Sequence, residues 1–301
     1  MARLALRCLG RTDVEVSPLG LGCWRFGGSG EKLGARWTAV PQPTVDAIVA
    51  AALAGGATWF DTAEIYGRGQ SERALAHALR AAGKVPGEIA VATKWWPAWR
   101  FAGSVRRTLG ARLAALTPYP IDLHQVHHPT SLSSIGAQMA AFARLAREGS
   151  IRAVGVSNFS ARQLRAAHAA LASHGLPLAA NQVRWSLADR RVEADGTVAA
   201  ARELGVTIIA YSPLGQGLLS TDEPGADGPR PRLARALADV AAALGATRAQ
   251  VALAWLLARE DVVAIPGATR VEHAAEALGA LGLTLDAAAR DRLDEASRAF
   301  L

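Results

Sequence analysis

Cysteine, lysine and long hydrophobic runs are all scarce in this sequence. The two cysteines, Cys8 and Cys23, lack the spacing of metal ligands and are too few for a disulfide framework. No apolar run is long enough to span a bilayer, and charged residues interrupt the N-terminal segment, which argues against a signal peptide. We therefore expect a cytoplasmic protein with no membrane partner.

The basic residues are almost all arginine, because only Lys32, Lys84 and Lys94 are lysines among 33 basic positions. The formal net charge is +7, yet the arginines are scattered and no basic stripe alternates with aromatic residues. The pattern therefore does not indicate a nucleic-acid partner. Lys94 ends the apolar run EIAVATK. In a chain that otherwise uses arginine, a lysine at this place indicates a specific need for an ammonium group.

Short runs rich in Val, Ile and Ala alternate with longer Ala, Leu and Arg segments of helical period. Units of this kind, repeated without a break in composition, predict one α/β domain over residues 1–301, a (β/α)8 TIM barrel. The strands are predicted near 19–23, 57–61, 88–94, 121–127, 151–157, 179–183, 206–211 and 262–265. The helices are predicted near 43–54, 71–82, 103–115, 133–147, 160–172, 196–204, 232–244 and 271–280.

Local signals add detail at the ends of these elements. Helix starts are predicted at Ser71, Ser160 and Thr247. The helix from Thr247 is additional, and a further helix is predicted after residue 285. The N-terminal segment is predicted to form a β-hairpin that turns at Arg11–Asp13 and covers the N-terminal mouth of the barrel. The Pro- and Gly-rich stretch 221–232 is predicted to be a loop.

Polar residues stand at the ends of three consecutive predicted strands. Asp61 ends the second strand and Tyr66 follows it, Lys94 ends the third, and a histidine ends the fourth. In a parallel barrel the carboxyl ends of the strands form one rim, which is where such folds carry their chemistry. Each residue alone also has a structural explanation, as a helix cap, a packed ring or a surface charge. Their convergence on one rim favours a functional site.

Strand geometry chooses among the three histidines of DLHQVHHP. Successive side chains alternate between the two faces of a strand, so His127 shares a face with positions 123 and 125, while His124 and His128 share the other. His127 is also the last regular position before Pro129, which places it at the mouth of the barrel. A zinc site on His124 and His128 is an alternative, but no further Cys or carboxylate lies nearby, and we predict no metal.

These side chains suit proton transfer to an oxygen. A phenol has a reference pKa of about 10, which is too high for an efficient acid near neutrality unless the phenolate is stabilised. Lys94 would supply that stabilisation and Asp61 would hold the ammonium group, while His127 would make a second hydrogen bond. Tyr66 would then protonate an oxyanion as a nucleophile arrives at carbon.

The sequence around these residues resembles the aldo-keto reductase family. The matching pieces cover nearly the whole chain in the family's order: LGRTDVEVSPLGLGCW, FDTAEIYG, VATKWW, DLHQVHHP, IRAVGVSNFS, NQVRWSL, IIAYSPLGQGLL and AIPGATRVEHAAEAL. The resemblance implies a nicotinamide-dependent carbonyl reductase or alcohol dehydrogenase that acts on an aldehyde, ketone or sugar. Its catalytic residues would be Tyr66, Asp61, Lys94 and His127, with Tyr66 as the proton donor.

The resemblance also implies a row of cofactor contacts. Ser157, Asn158 and Gln182 would bind the nicotinamide carboxamide, Tyr211 would stack on the ring, and the loop 212–219 would cover the pyrophosphate. The full set is Gly22, Cys23, Trp24, Ser157, Asn158, Gln182, Tyr211, Ser212, Pro213, Leu214, Gly215, Gly217, Ile265, Gly267, Thr269, Arg270, His273 and Glu276.

The adenosine end of the cofactor site departs from the family's pattern. Thr269 and Arg270 stand where a 2′-phosphate is usually held, and Glu276 stands where the adenine amino group is usually bound. His273 and Ala277 replace the amide or arginine and the asparagine that are frequent in the family. Because a guanidinium can grip a phosphate dianion, we expect NADP(H) to be preferred, with NAD(H) possible.

The predicted substrate pocket is aromatic. Trp24, Trp95 and His128 are expected to line it, and such walls suit flat aldehydes or the apolar face of a sugar. The expected partner is thus a small-molecule carbonyl or alcohol, and the pattern predicts no particular oligomeric state. Two alternatives are a cofactor-sensing regulatory or binding subunit with little turnover and a metal-dependent barrel hydrolase, whose ligands the sequence does not supply.

Overall fold

A computed structural model describes residues 5–28, 40–220 and 228–301. Eight parallel strands form a nearly closed barrel, in which β3 to β10 are hydrogen-bonded in sequence order. Parallel bridges from Leu19 to Ala264 and from Gly22 to Gly267 join β3 and β10 across the remaining gap. This confirms the predicted (β/α)8 barrel. Its strands are β3 (Leu21–Gly22), β4 (Trp59–Asp61), β5 (Ala90–Trp95), β6 (Leu123–Val126), β7 (Ala153–Ser157), β8 (Leu178–Arg184), β9 (Thr207–Tyr211) and β10 (Val262–Ile265).

Helices surround the barrel at all of the predicted positions. The short helix α6 lies in the segment after β8 and was not predicted, because four residues are too few to show a helical period. The helices are α1 (Gln42–Ala54), α2 (Gln70–Ala81), α3 (Gly103–Leu116), α4 (Ile135–Arg147), α5 (Ala161–Ala172), α6 (Arg191–Ala194), α7 (Thr197–Leu204), α8 (Pro229–Leu244), α9 (Arg248–Leu257), α10 (Val271–Gly279) and α11 (Ala287–Ala296).

The N-terminal hairpin closes one end of the barrel, as predicted. It pairs β1 (Arg7–Cys8) with β2 (Glu15–Val16) in antiparallel register. Its apolar residues Leu9 and Val14 are buried in the cluster that fills the barrel interior. This end is filled by apolar side chains, while the charged interior residues Asp61 and Lys94 lie toward the opposite, carboxyl-end rim.

Close packing inside the barrel explains one glycine. A Cβ added to Gly20 would overlap the indole of Trp59, a fully buried ring at the base of the barrel. Trp59 donates its indole N–H to the carbonyl oxygen of Ser17 at 2.9 Å, which fixes the ring in place. The interior is therefore filled by side chains below the rim.

The predicted helix starts at Ser160 and Thr247 are confirmed, since each hydroxyl accepts from the third backbone N–H of its helix in a capping box. The prediction for Ser71 was wrong. Helix α2 begins at Gln70 after Gly69, and the hydroxyl of Ser71 donates to the carbonyl oxygen of Cys23 at 2.7 Å. A tertiary contact has replaced the local cap.

The predicted loop 221–232 lies partly outside the described residues, which resume at 228. Within the described part, α8 already begins at Pro229, so the loop prediction was wrong for 229–232. Proline is compatible with the first turn of a helix because its missing N–H has no partner there in any case. In the described ranges no single helix has the length and apolar character to cross a membrane, while the bent pair α8 and α9 meets those criteria by length and composition alone.

Candidate active site

The centre of the rim is a buried ion pair. The ammonium group of Lys94 is fully buried and donates to Oδ1 of Asp61 and, at 2.9 Å, to the carbonyl oxygen of Thr62. Both side chains point into the barrel because they occupy inward positions at the ends of β5 and β4. A buried charge is costly unless it is paired and hydrogen-bonded, and this pair meets both conditions.

Two glutamines complete the shell of Asp61. Oδ2 of Asp61 accepts from Nε2 of Gln125 at 3.1 Å and from Nε2 of Gln182 at 2.9 Å. Gln125 was not among the predicted site residues, although strand alternation places it on the same face as His127. With these donors Asp61 is held rigidly, so the ammonium group of Lys94 is held as well.

Tyr66 is placed by a tight turn after β4. A Cβ at Gly67 would overlap the carbonyl oxygen of Gly27, and Gly67 adopts φ +60°, so only glycine suits this crossing. The ring centroid of Tyr66 lies 5.3 Å from Nζ of Lys94, close enough for the charge of Lys94 to act on the phenol. The structure therefore brings Tyr66, Lys94 and Asp61 together as predicted.

The electrostatics of this group differ in part from the expectation. Burial raises the pKa of Tyr66, and this effect outweighs the lowering by the charge of Lys94. Burial alone would lower the pKa of Lys94, but the charges of Asp61 and Tyr66 and the hydrogen bond to Asp61 raise it overall. Lys94 thus stays cationic, and Tyr66 stays protonated and able to donate.

The three histidines separate as strand alternation requires. The ring of His127 lies edge-on to Tyr66, with centroids 5.5 Å apart, and edge-on to Trp96 at 5.2 Å. His124 points the other way, to Phe142 in the helix layer, and His128 is exposed. Burial, with the charge of Lys94 and the neighbouring His128, holds the pKa of His127 well below its usual range. His127 is therefore a neutral imidazole at the site.

The residues expected to bind a nicotinamide lie together on the far side of this group. Asn158, in a left-handed conformation with φ +61°, donates from Nδ2 to Oγ of Ser157 at 3.0 Å and accepts from the hydroxyl of Tyr211 at 3.0 Å. Gln182 uses its amide hydrogens on Asp61 and Gln125, which leaves its carbonyl oxygen to accept. Such donors and acceptors beside a half-buried aromatic ring fit a carboxamide and a flat heterocycle.

The loop after β9 has the conformation of a tight, strained turn. Ser212 and Gln216 are non-glycine residues with φ of +48° and +61°, and Gly215 and Gly217 also have positive φ. The amides of the two glycines donate within the loop, to Ser212 and Leu214 respectively. Phosphate binding by these backbone groups stays a prediction, as do contacts by Pro213 and Leu214.

The residues expected at the adenosine end also cluster. Oγ1 of Thr269 lies 3.4 Å from Nδ1 of His273, and Nη2 of Arg270 lies 2.8 Å from Nε2 of the same ring. Glu276 lies further along α10, and its carbonyl oxygen accepts from Gln250 at 3.2 Å. Arg270 is exposed at the start of α10, where a guanidinium can meet an anion.

Two of the predicted site residues face away from the site. Trp95 is fully buried on the outer side of β5, where its indole N–H donates to Ser104 at 3.0 Å and its ring packs on Phe142. Trp95 is therefore not a wall of the substrate pocket. Because successive side chains alternate between the faces of a strand, the neighbouring Trp96 faces the site instead. Cys23 is also fully buried among the apolar side chains of the helix layer, so its thiol does not face a cofactor.

Packing accounts for Gly22 and Ile265 independently of any ligand. A Cβ at Gly22 would lie 3.1 Å from the carbonyl oxygen of Ile265, where the barrel closes. Ile265 is itself buried in the interior cluster, and it pairs in register with Tyr211. Gly267 bridges to Gly22 at the same seam.

Aromatic side chains occur in the loops that follow the strands at the carboxyl-end rim. Trp24 is 45% exposed at the first residue of a 3-10 helix after β3, and Trp99 and Phe101 are 87% and 64% exposed in the loop after β5. In the loop after β5 the ring of Trp96 lies against the site, edge-on to His127. Among the described residues there is no cluster of three or more His, Cys, Asp or Glu that could hold a metal ion.

The fold and the site together define a class. The protein is a (β/α)8 barrel whose polar site is built at the carboxyl ends of its strands. The chain belongs to the aldo/keto reductase family, since the model of that family matches residues 18–298. This confirms the resemblance found in the sequence.

Relatives and solved structures agree with this assignment. An uncharacterised oxidoreductase of Mycobacterium tuberculosis is 39% identical over 304 residues, which cover 95% of this chain and 91% of the relative. The crystal structure of a thermostable aldo-keto reductase with the inhibitor epalrestat is 33% identical, with a TM-score of 0.84 over 97% of this chain and 99% of that one. An aldo/keto reductase of Klebsiella pneumoniae crystallised with NADP and acetate is 26% identical, with a TM-score of 0.78 over 96% and 95% of the two chains.

Proposed function

We propose that this protein is an NADP(H)-dependent reductase of aldehydes or ketones, able to run in reverse as an alcohol or sugar dehydrogenase. The observation that carries the proposal is the buried, hydrogen-bonded pair of Lys94 and Asp61 beside the phenol of Tyr66, with the ring of His127 edge-on to that phenol. Membership of the aldo/keto reductase family supports the same reaction class.

Each residue has a distinct part in this reaction. The reduced nicotinamide, when bound, supplies a hydride to the carbonyl carbon. Tyr66 gives its phenolic proton to the carbonyl oxygen, and Lys94 stabilises the phenolate that remains. Asp61 fixes Lys94, and His127 donates a hydrogen bond to the same oxygen, which it can do as a neutral imidazole.

The cofactor would lie across the rim from Tyr211 to α10. Ser157, Asn158 and Gln182 would hold the carboxamide, and the loop 212–219 would cover the pyrophosphate. Arg270 would hold a 2′-phosphate, which is the reason for preferring NADP(H) to NAD(H). The NADP complex of the Klebsiella pneumoniae relative supports this preference.

The aromatic mouth favours flat, partly apolar carbonyl substrates. Trp96 and Trp24 would offer aromatic surface to such a substrate, and Tyr66 and His127 would hydrogen-bond its carbonyl oxygen. Aromatic aldehydes and the apolar face of a sugar aldehyde match such a mouth.

The test is oxidation of NADPH and of NADH, followed by absorbance, with aromatic aldehydes, sugar aldehydes and small ketones. The wild type and Tyr66→Phe are assayed in parallel, and cofactor binding is measured by fluorescence. Turnover by the wild type that disappears in the variant supports the proposal. Tight NADPH binding without turnover of any carbonyl would refute it and favour a cofactor-sensing binding protein.

A further inference from the structure

A second buried carboxylate lies directly behind the site. Glu64, in the turn between Asp61 and Tyr66, is 6% exposed, and both of its oxygens are engaged. Oε1 accepts from the backbone N–H of Trp96 at 2.5 Å and from Nη1 of Arg100 at 2.6 Å, while Oε2 accepts from Nη1 of Arg112 at 2.7 Å. One side chain therefore joins the turn that carries Tyr66 to the loop after β5 and to α3.

The partners of Glu64 connect it to the reacting groups. Its own backbone N–H donates to the carbonyl oxygen of Lys94 at 3.2 Å. The backbone N–H of Trp96 donates to Glu64. Trp96 is two residues beyond Lys94, so its side chain faces the same side of the strand, where its ring lies edge-on to His127. The carboxylate of Glu64 thus acts on the site through Trp96, whose backbone it holds and whose ring lies against His127.

The loop after β5 needs such an anchor. Trp99 is 87% exposed and adopts φ +59°, an unfavourable backbone conformation for a bulky residue. The residues on either side, Trp96 and Arg100, are both tied to Oε1 of Glu64. The carbonyl oxygen of Arg100 in turn accepts from the backbone N–H of Leu132 at 3.0 Å, so the same anchor reaches the loop after β6.

Charge balance explains why a carboxylate occupies this position. Arg112 lies between Glu64 and the fully buried Glu72, whose Oε2 is 2.7 Å from Nε of Arg112 in an ion pair that lacks hydrogen-bond alignment. Two buried carboxylates thus face two guanidinium groups, Arg112 and the outer Arg100. Removal of one charge would leave its partner buried and uncompensated, which is a large perturbation.

We propose that Glu64 is a positioning residue for carbonyl reduction, which holds Trp96 against His127 and so fixes the imidazole and the aromatic wall of the substrate mouth. The inference rests on the proposed function for its kinetic consequence. The contact between Glu64 and the amide of Trp96 is open to test without any turnover.

The first test is a double-mutant cycle. Glu64→Gln is expected to lower kcat/KM by about 10-fold, since small displacements in a site are costly, while the Kd for NADPH stays within about 2-fold. In a Trp96→Ala background the same change is expected to lower kcat/KM by less than about 2-fold, because the residue through which Glu64 acts is gone. Glu148→Gln is the matched control, since Glu148 pairs with Arg106 of α3 at 3.8 Å on the surface. Equal losses in both backgrounds would overturn the proposal.

A variant on the exposed side guards against misfolding. The side chain of Arg100 is 36% exposed, so Arg100→Met removes one anchor with little effect on the core. Arg100→Met is expected to raise KM more than it lowers kcat. Arg100→Lys is expected to restore much of the lost kcat/KM. Wild-type kinetics in Arg100→Met together with wild-type kinetics in Glu64→Gln would also overturn the proposal.

The second readout is hydrogen exchange of the backbone amides. Glu64→Gln is expected to speed exchange at Trp96 and through residues 98–101 by about 10-fold or more, with β5 residues 91–94 unchanged. If the wild type reduces no carbonyl, the proposed function fails and this measurement alone decides whether Glu64 positions Trp96. Unchanged exchange at Trp96 would refute the positioning role in either case.

Discussion

Acid should destabilise this protein through one histidine outside the site. His124 is 1% exposed on the outer side of β6, and neither ring nitrogen has a hydrogen-bond partner among the described residues. Its ring packs 5.0 Å from that of Phe142. Burial, with the nearby charge of Arg112, lowers the pKa of His124 to about 3.

The sign and size of the effect follow from linkage. In the unfolded chain the imidazole titrates near its reference pKa of about 6.5, so below that pH protons stabilise the unfolded state and not the folded one. The loss of stability is negligible above pH ~7, about 2 kcal/mol at pH ~5, and about 4 kcal/mol at pH ~3. Stability is therefore lost as the pH falls through this window, and it is retained above it.

The assay is urea unfolding of wild type and His124→Leu at neutral pH and near pH ~5, where linkage predicts the ~2 kcal/mol change. Leucine fills much of the same space and does not titrate, so the stability of the variant relative to wild type should rise by about 2 kcal/mol between the two conditions. His174→Leu, in the turn after α5, is the matched control. An equal pH dependence in wild type and His124→Leu would refute the reasoning.

Three further predictions concern the site. Tyr66→Phe should lower kcat for carbonyl reduction by about 10²-fold or more through loss of the proton donor, while the Kd for NADPH, measured by fluorescence titration, stays nearly unchanged. Loss of both turnover and NADPH binding would indicate a structural role for Tyr66. His127→Ala should lower kcat/KM by about 10-fold or more, while His128→Ala should stay within about 3-fold, and the reverse order in steady-state assays would contradict the face assignment. Arg270→Met should weaken the binding of NADPH about 10-fold or more and leave the binding of NADH nearly unchanged, as measured by the two Kd values, because only NADPH carries the 2′-phosphate. Equal losses of affinity for both cofactors would exclude a phosphate contact.

Much of this architecture was predictable because it depends on local periodicity. Alternation along β6 by itself selects His127 over His128, and it also places Gln125 on the inner face. The same rule excludes Trp95 from the pocket once Lys94 points inward, so that error came from weighing aromatic character above strand geometry. Local rules could not show that Ser71 fails to cap its helix, because its hydroxyl donates instead to the carbonyl oxygen of Cys23 in a distant segment of the chain.

The sequence by itself determined the barrel, the order of its elements and the rim on which Asp61, Tyr66 and Lys94 meet, since each follows from patterns within a few residues of one another. Only the tertiary structure decided the surroundings of those groups. Burial raises the pKa of Tyr66 in spite of Lys94, and burial depends on what packs above the ring. The network of Glu64 joins arginines 36 and 48 positions further along the chain, and contacts at that separation leave no periodic trace in a sequence.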